Sequence, residues 1–100
     1  MKTIFVDIDN TLCNTPGTNY AAATPWRDRI AVVNRLFDEG HQVVIWTARG
    51  ALNGVTPALR ELTAAQLKLW GVRHHELRLD KPYFDLLVDD RALTSLAEVP

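Results

Sequence analysis

Apolar and polar positions alternate in blocks along this chain. Thr3 to Val6 (TIFV) is short, β-branched and apolar, and reads as a buried strand. Residues 10–24 (NTLCNTPGTNYAAAT) are small, polar and turn-rich. They read as one long loop, and connections of that length in small domains are usually functional. Thr24-Pro25 is expected to open a helix, with threonine as N-cap and proline at the first helical position. Trp26, Ile30, Val33 and Phe37 then recur at helical spacing on one apolar face, and Gly40 ends the helix. Val43 to Trp46 (VVIW) is a second continuous apolar strand.

The pattern then recurs. A polar loop, TARGALNGV, leads to Thr56-Pro57 and a second helix, with Ala58, Leu62, Ala65 and Leu69 as its apolar stripe and Gly71 as its stop. Little else matches between the two units, so this is not a sequence repeat. Glu76 to Leu79 (ELRL) is expected as a third strand and Leu86 to Val88 (LLV) as a fourth, with a short closing helix over Arg91 to Glu98. Strands alternating with helices predict βαβ units on a parallel sheet with right-handed crossovers. Fully apolar strands belong to sheets covered on both faces. The expected fold is therefore α/β, a Rossmann-like three-layer sandwich with a small parallel sheet of four strands, in a single domain spanning residues 1–100.

Composition narrows the function. The formal net charge of −1 provides no basic footprint, so neither nucleic acid nor an anionic membrane surface is an expected partner. No apolar run approaches the ~20 residues that span a bilayer. Asp7 interrupts the N-terminal apolar run too early for a secretory signal. Cys13 is the one cysteine, so no internal disulfide forms, and a reducing cytoplasmic compartment is expected.

The chemistry lies at the strand ends. In open parallel sheets the site lies beyond the carboxyl ends of the strands. That rule puts Asp7 and Asp9, Thr47, Lys81 and the pair Asp89-Asp90 on one rim. Carboxylates crowded together repel unless a cation stands between them, and magnesium suits oxygen ligands. A lysine and a hydroxyl beside that cation suit a phosphoryl group.

These residues resemble the motifs of the haloacid dehalogenase (HAD) superfamily of phosphotransferases. Its D-x-D-x-T motif appears as Asp7-Ile8-Asp9-Asn10-Thr11, its strand-end Ser/Thr as Thr47 in VVIWTAR, its lysine as Lys81 in DKPYFD, and its acidic pair as Asp89-Asp90 in LLVDD. The resemblance covers residues 3–91. It implies a magnesium-dependent phosphatase in which Asp7 is the nucleophile and forms a phosphoaspartate. It implies that Asp9 protonates the leaving oxygen and then activates water. Thr47 is expected to bind the phosphoryl oxygens and Lys81 to orient Asp7. Asp7, the Asp9 carbonyl, Asp89 and Asp90 are the implied metal ligands. The wording "TAR" and "KPY…DD" resembles short, cap-less phosphatases of capsule and surface-sugar biosynthesis. The intervals 12–24 and 48–56 are too short for a cap domain.

A small phosphorylated metabolite, a sugar phosphate above all, is the expected substrate. Thr11, Arg49 and Asn53 are the expected substrate-binding residues, with Arg49 reading the leaving group. Association into a homo-oligomer is expected, because a small chain gains burial from it. Three other readings compete, one of them an inactive domain that binds a partner, which the complete motif set disfavours. The VDDR wording also resembles polynucleotide 3′-phosphatase domains, which the near-neutral charge disfavours. Receiver domains also join an acidic pair, a phospho-accepting Asp, a Thr and a Lys, but in a different chain order and without an acid two residues on. His74-His75 reads as solvated, Cys13 as a small filler, and Trp26, Trp46 and Trp70 as core.

Overall fold

The first apolar run forms the strand β1, Thr3–Val6. The structure is a computed structural model and describes residues Met1–Pro100. A two-residue pair, β2 (Cys13–Asn14) and β3 (Thr24–Pro25), follows, with a 3-10 turn at Tyr20–Ala22 between them. Then come α1 (Arg27–Asp38), β4 (Gln42–Trp46), α2 (Pro57–Leu69), β5 (Glu76–Arg78) and a closing 3-10 turn at Leu96–Glu98. No helix is long and apolar enough to cross a membrane.

The sheet is parallel, in the order β1–β4–β5. Ile4 lies opposite Val43 and Val6 opposite Ile45, while Trp46 lies opposite Arg78. As the central strand, β4 buries Val43, Val44 and Ile45 alike, which explains its unbroken apolar run. The crossovers β1–α1–β4 and β4–α2–β5 step across the sheet in the same direction. Right-handed crossovers of that kind place both helices on the same face. One core cluster accordingly unites Val6, Val43 and Ile45 with Ile30 and Val33 of α1 and Leu67 of α2.

The expected three layers are therefore two. The opposite sheet face carries Phe5 and Trp46, edge to face at 5.4 Å, and Phe5 is 46% exposed. The expected fourth strand is also absent. Leu86, Leu87 and Val88 are 81%, 51% and 87% exposed and have no ladder partner, so β1 remains an edge strand. Three apolar residues between acidic neighbours carry no information about pairing. The closing helix shrinks to one turn, capped by a Ser95–Glu98 capping box, because residues 91–94 are exposed and only Leu96 reaches the core.

The helix starts differ in kind. Thr56 caps α2 as expected, its Oγ1 accepting from Leu59 N at 3.1 Å with Pro57 next. Thr24-Pro25 does not cap α1. Both residues pair with Asn14 and Cys13, and Trp26 N donates to Leu12 O at 2.9 Å, which holds the chain extended until Arg27. The interval 10–24 is thus partly ordered as ladder and 3-10 turn, and the left-handed Asn10 (φ 60) bends it back on itself. In α2 the buried positions are Thr63, Gln66 and Leu67, followed by Trp70, whereas Leu69 is 79% exposed. The helix is rotated away from the stripe its leucines and alanines suggest. Trp70 is buried, Trp46 half-buried and Trp26 mostly outside the core. His75 is exposed, as expected, yet not free: its Nδ1 accepts from Val43 N at 3.1 Å and its ring stacks on Phe37.

Candidate active site

Asp7 follows β1 and Thr47 follows β4, so both side chains begin where the ladder ends. The β4–β5 pairing runs on beyond the strands. Thr47 N donates to Arg78 O at 3.0 Å, and Lys81 N donates to Thr47 O at 3.2 Å. That extension turns Lys81 towards the first strand, and its Nζ stands 3.6 Å from Asp7 Oδ1. Thr11 Oγ1 donates to the other oxygen, Oδ2, at 3.3 Å. The aromatic rings of Trp46 and Phe84 flank the ammonium at 5.6 and 5.5 Å.

Burial pushes the Asp7 carboxyl above its ordinary value, and the charge of Asp9 adds to this. The Lys81 ammonium, the Ile8 N–H and the Thr11 hydroxyl pull it down. A carboxylate that is poorly hydrated yet held by one cation is a stronger nucleophile than a solvated one.

Asp9 is gripped on both oxygens. Arg49 Nε donates to Oδ2 at 3.0 Å and Nη2 to Oδ1 at 2.8 Å, while Thr15 Oγ1 donates to Oδ1 at 2.6 Å. Arg49 is 1% exposed, the largest fully buried side chain of the protein. Its Nη1 donates to Gln66 Oε1 at 2.6 Å and to Thr63 Oγ1 at 3.2 Å, and its guanidinium lies 4.6 Å over the Tyr20 ring. This explains the rotation of α2: the buried guanidinium needs acceptors, and Thr63 and Gln66 turn inward to supply them. Every buried side-chain nitrogen and oxygen has a partner.

The residues open on two cavities with Asp7 as their common wall. One, of about 380 Å³, is bounded by Asp7, Asp9, Thr47 and Lys81, with Gly17, Thr18, Tyr20 and residues 48–54 also lining it. The other, of about 1180 Å³, runs along the free edge of β1 past Thr11, Leu87 and Asp89. Asp9 reaches only the first.

Of the residues singled out from the sequence, Asp7, Asp9, Thr11, Thr47 and Lys81 come together. Thr47 is buried, and its Oγ1 accepts from Arg49 N at 3.2 Å. Asn53 is exposed on the wall of the smaller cavity. Arg49 is displaced from its expected role, since its donors are spent on Asp9, Thr63 and Gln66 rather than left free for a substrate. Thr11 likewise serves Asp7. Asp89 and Asp90 do not join the acids: Asp89 Oδ1 accepts from Arg91 N at 2.9 Å, and Asp90 lines neither cavity. No group of three potential ligands stands close enough to hold a metal ion, so the four-acid magnesium set is not assembled here. The cause is the missing fourth strand, which would have carried the pair. Thr15, Tyr20, Thr63 and Gln66 escaped the sequence reading. Only the need of a buried arginine for acceptors points to them.

No protein-family model matches the sequence, and no curated protein matches it. Two solved structures share the fold. One is the crystal structure of a structural-genomics target from Vibrio cholerae, 26% identical over 93% of this chain and 83% of that one, with a TM-score of 0.81. The other is a chain of a Pnkp1/Rnl/Hen1 complex, 18% identical over 84% of this chain and 30% of that one, with a TM-score of 0.61. They establish the α/β architecture with its parallel sheet.

Proposed function

We propose that the protein hydrolyses small phosphomonoesters through a phosphoaspartate on Asp7, as in the HAD superfamily whose motifs it resembles. The observation that carries this reading is the pairing of Lys81 with Asp7 at 3.6 Å, beside an Asp9 that faces the same cavity. An Asp7 oxygen attacks phosphorus, and the bond from phosphorus to the ester oxygen breaks. Asp9, entering this step in its acid form, delivers a proton to that departing oxygen and is left as the carboxylate that Arg49 and Thr15 hold. Water then attacks the phosphoaspartate, Asp9 takes its proton, and the Asp7–phosphorus bond breaks to release phosphate. The Lys81 ammonium neutralises charge on the phosphoryl oxygens, and Thr47 bounds the cavity floor where they gather.

A cavity of about 380 Å³ suits a small leaving group, such as a phosphorylated sugar, with Asn53 on its wall. The formal net charge of −1 weighs against a polynucleotide substrate. Magnesium dependence is part of the same proposal and rests on the sequence motifs alone. The test is hydrolysis of a panel of sugar phosphates and 4-nitrophenyl phosphate by the purified protein, with magnesium and with EDTA. Release of phosphate with magnesium and its loss in EDTA are expected. No release from any ester overturns the reading, and a full rate in EDTA overturns its magnesium part. A phosphoaspartate that survives for hours in the wild type would make the protein a phospho-switch instead.

A further inference from the structure

A fully buried guanidinium is an unusual thing to find one side chain away from a proposed acid/base. A buried ion pair is poor at stabilising a fold compared with well-packed apolar groups, so stability alone does not account for it. What a fork of this kind supplies is direction. Two parallel N–H···O bonds, from Nε at 3.0 Å and Nη2 at 2.8 Å, fix the plane of the Asp9 carboxylate. A single ammonium would leave it free to rotate.

The other end of the guanidinium is fixed as well. Gln66 Oε1 and Thr63 Oγ1 accept from Nη1, so α2 serves as the mount. Gln66 Nε2 in turn donates to Tyr20 O at 2.6 Å. Arg49, in the 48–54 segment, and Tyr20, in a separate segment, both line the smaller cavity. Both segments are thus tied to Asp9 through one side chain. Asp7 is open to both cavities, but Asp9 faces only the smaller one.

We infer that Arg49 is the positioning residue of the site. It aims the Asp9 carboxylate into the smaller cavity, where the leaving oxygen must lie, and it does not read the substrate. This inference rests on the proposed phosphatase chemistry. Its signature is selective. Loss of Arg49 harms esters whose leaving oxygen needs a proton far more than esters whose leaving group departs as an anion.

The experiment compares kcat/KM for phenyl phosphate and 4-nitrophenyl phosphate, two esters of nearly equal size. It uses the wild type, Arg49→Met, Arg49→Lys and Gln66→Met. In Arg49→Met the phenyl ester should lose about 10²-fold relative to the nitrophenyl ester, the low end of what a positioned proton donor contributes. Arg49→Lys should lie between, because it returns the charge without the fork. Gln66→Met should shift the ratio in the same direction by less, since it loosens the mount and leaves the fork. Millimolar guanidinium ion should restore part of the ratio in Arg49→Met. If Arg49→Met does not fold by circular dichroism, the other two variants carry the test. Equal losses on both esters in every folded variant overturn the inference, since general structural damage and a role in gripping the substrate both scale the two esters alike. Wild-type protein that hydrolyses neither these esters nor any sugar phosphate overturns the phosphatase reading, and the inference falls with it. Wild-type turnover with an unchanged ratio in the variants overturns the role of Arg49 alone.

Discussion

Lys81 Nζ lies 3.6 Å from Asp7 Oδ1, although 74 positions separate the two in the chain (81 − 7). The contact exists because the β4–β5 ladder continues past its last strand residues, so Thr47 and Lys81 remain in register beyond the sheet edge. It sets the ionisation of Asp7 against the burial that opposes it.

Lys81→Met removes the main influence that lowers the Asp7 value and leaves burial unopposed. In the proposed mechanism Asp7 attacks as a carboxylate, so activity should rise with pH as it ionises. The acid limb of kcat/KM should therefore move to higher pH in the variant, together with a fall in rate at neutral pH of about 10² or more, as expected for loss of electrostatic stabilisation in the transition state. A pH profile on 4-nitrophenyl phosphate measures both. An acid limb that stays in place would separate Lys81 from Asp7 ionisation.

Asp7→Asn should abolish turnover, because an amide does not form the phosphoaspartate. It should also stabilise the fold at neutral pH. The folded value of Asp7 lies above its unfolded value near 3.8, so the folded state binds the proton more tightly. Stability from that source is present below 3.8 and is lost as pH rises through the folded value. The advantage of Asp7→Asn over wild type should thus be greatest at pH 7 and vanish below about pH 4. Thermal melts across that range decide it, and a difference that grows towards acid would contradict the direction of the shift.

Asp9→Asn should divide the reaction. With 4-nitrophenyl phosphate the first step needs little proton donation and still runs. The second lacks a base for water and stalls. Intact-mass measurement should show one added phosphoryl group, absent from Asp7→Asn under the same conditions. Unchanged steady turnover without any phosphoprotein would remove Asp9 from the mechanism.

The buried face of α2 is open to a direct check. Leu67→Ala should cost about 3 kcal/mol, the usual loss for a leucine buried in a core. Leu69→Ala should stay within about 0.5 kcal/mol, as exposed positions do. Urea unfolding monitored by Trp fluorescence measures both. Similar costs at the two positions would mean that α2 is not rotated as described.

Much of the scaffold was readable in the one-dimensional pattern because its signals are local. Apolar runs marked β1 and β4, ELRL gave a weaker sign of β5, and Thr56-Pro57 with Gly71 marked both ends of α2, since caps and periodicity depend on residues a few positions apart. The strand-end rule then brought Asp7, Thr47 and Lys81 to one rim, though it also put there Asp89-Asp90, which the fold keeps apart. Thr24-Pro25 shows where local signals stop. It has the same form as Thr56-Pro57, yet a two-residue ladder with Asn14 and Cys13 takes it out of the helix. Leu86–Val88 has a strand composition and no partner, because pairing is a property of two segments rather than one.

What the sequence determined by itself was the set of candidate groups for the proposed reaction and their order along a parallel sheet. Those follow from residue type and from topology rules that any such chain obeys. What the tertiary structure alone decided was the work each remaining polar side chain does. Arg49 reads in the sequence as a free cation in a polar loop, ready for an anionic ligand. In the folded chain it is buried, and a buried guanidinium must meet its acceptors inside the protein. It found them in Asp9, Thr63 and Gln66, residues 40, 14 and 17 positions away, and no local pattern encodes a distance of that kind.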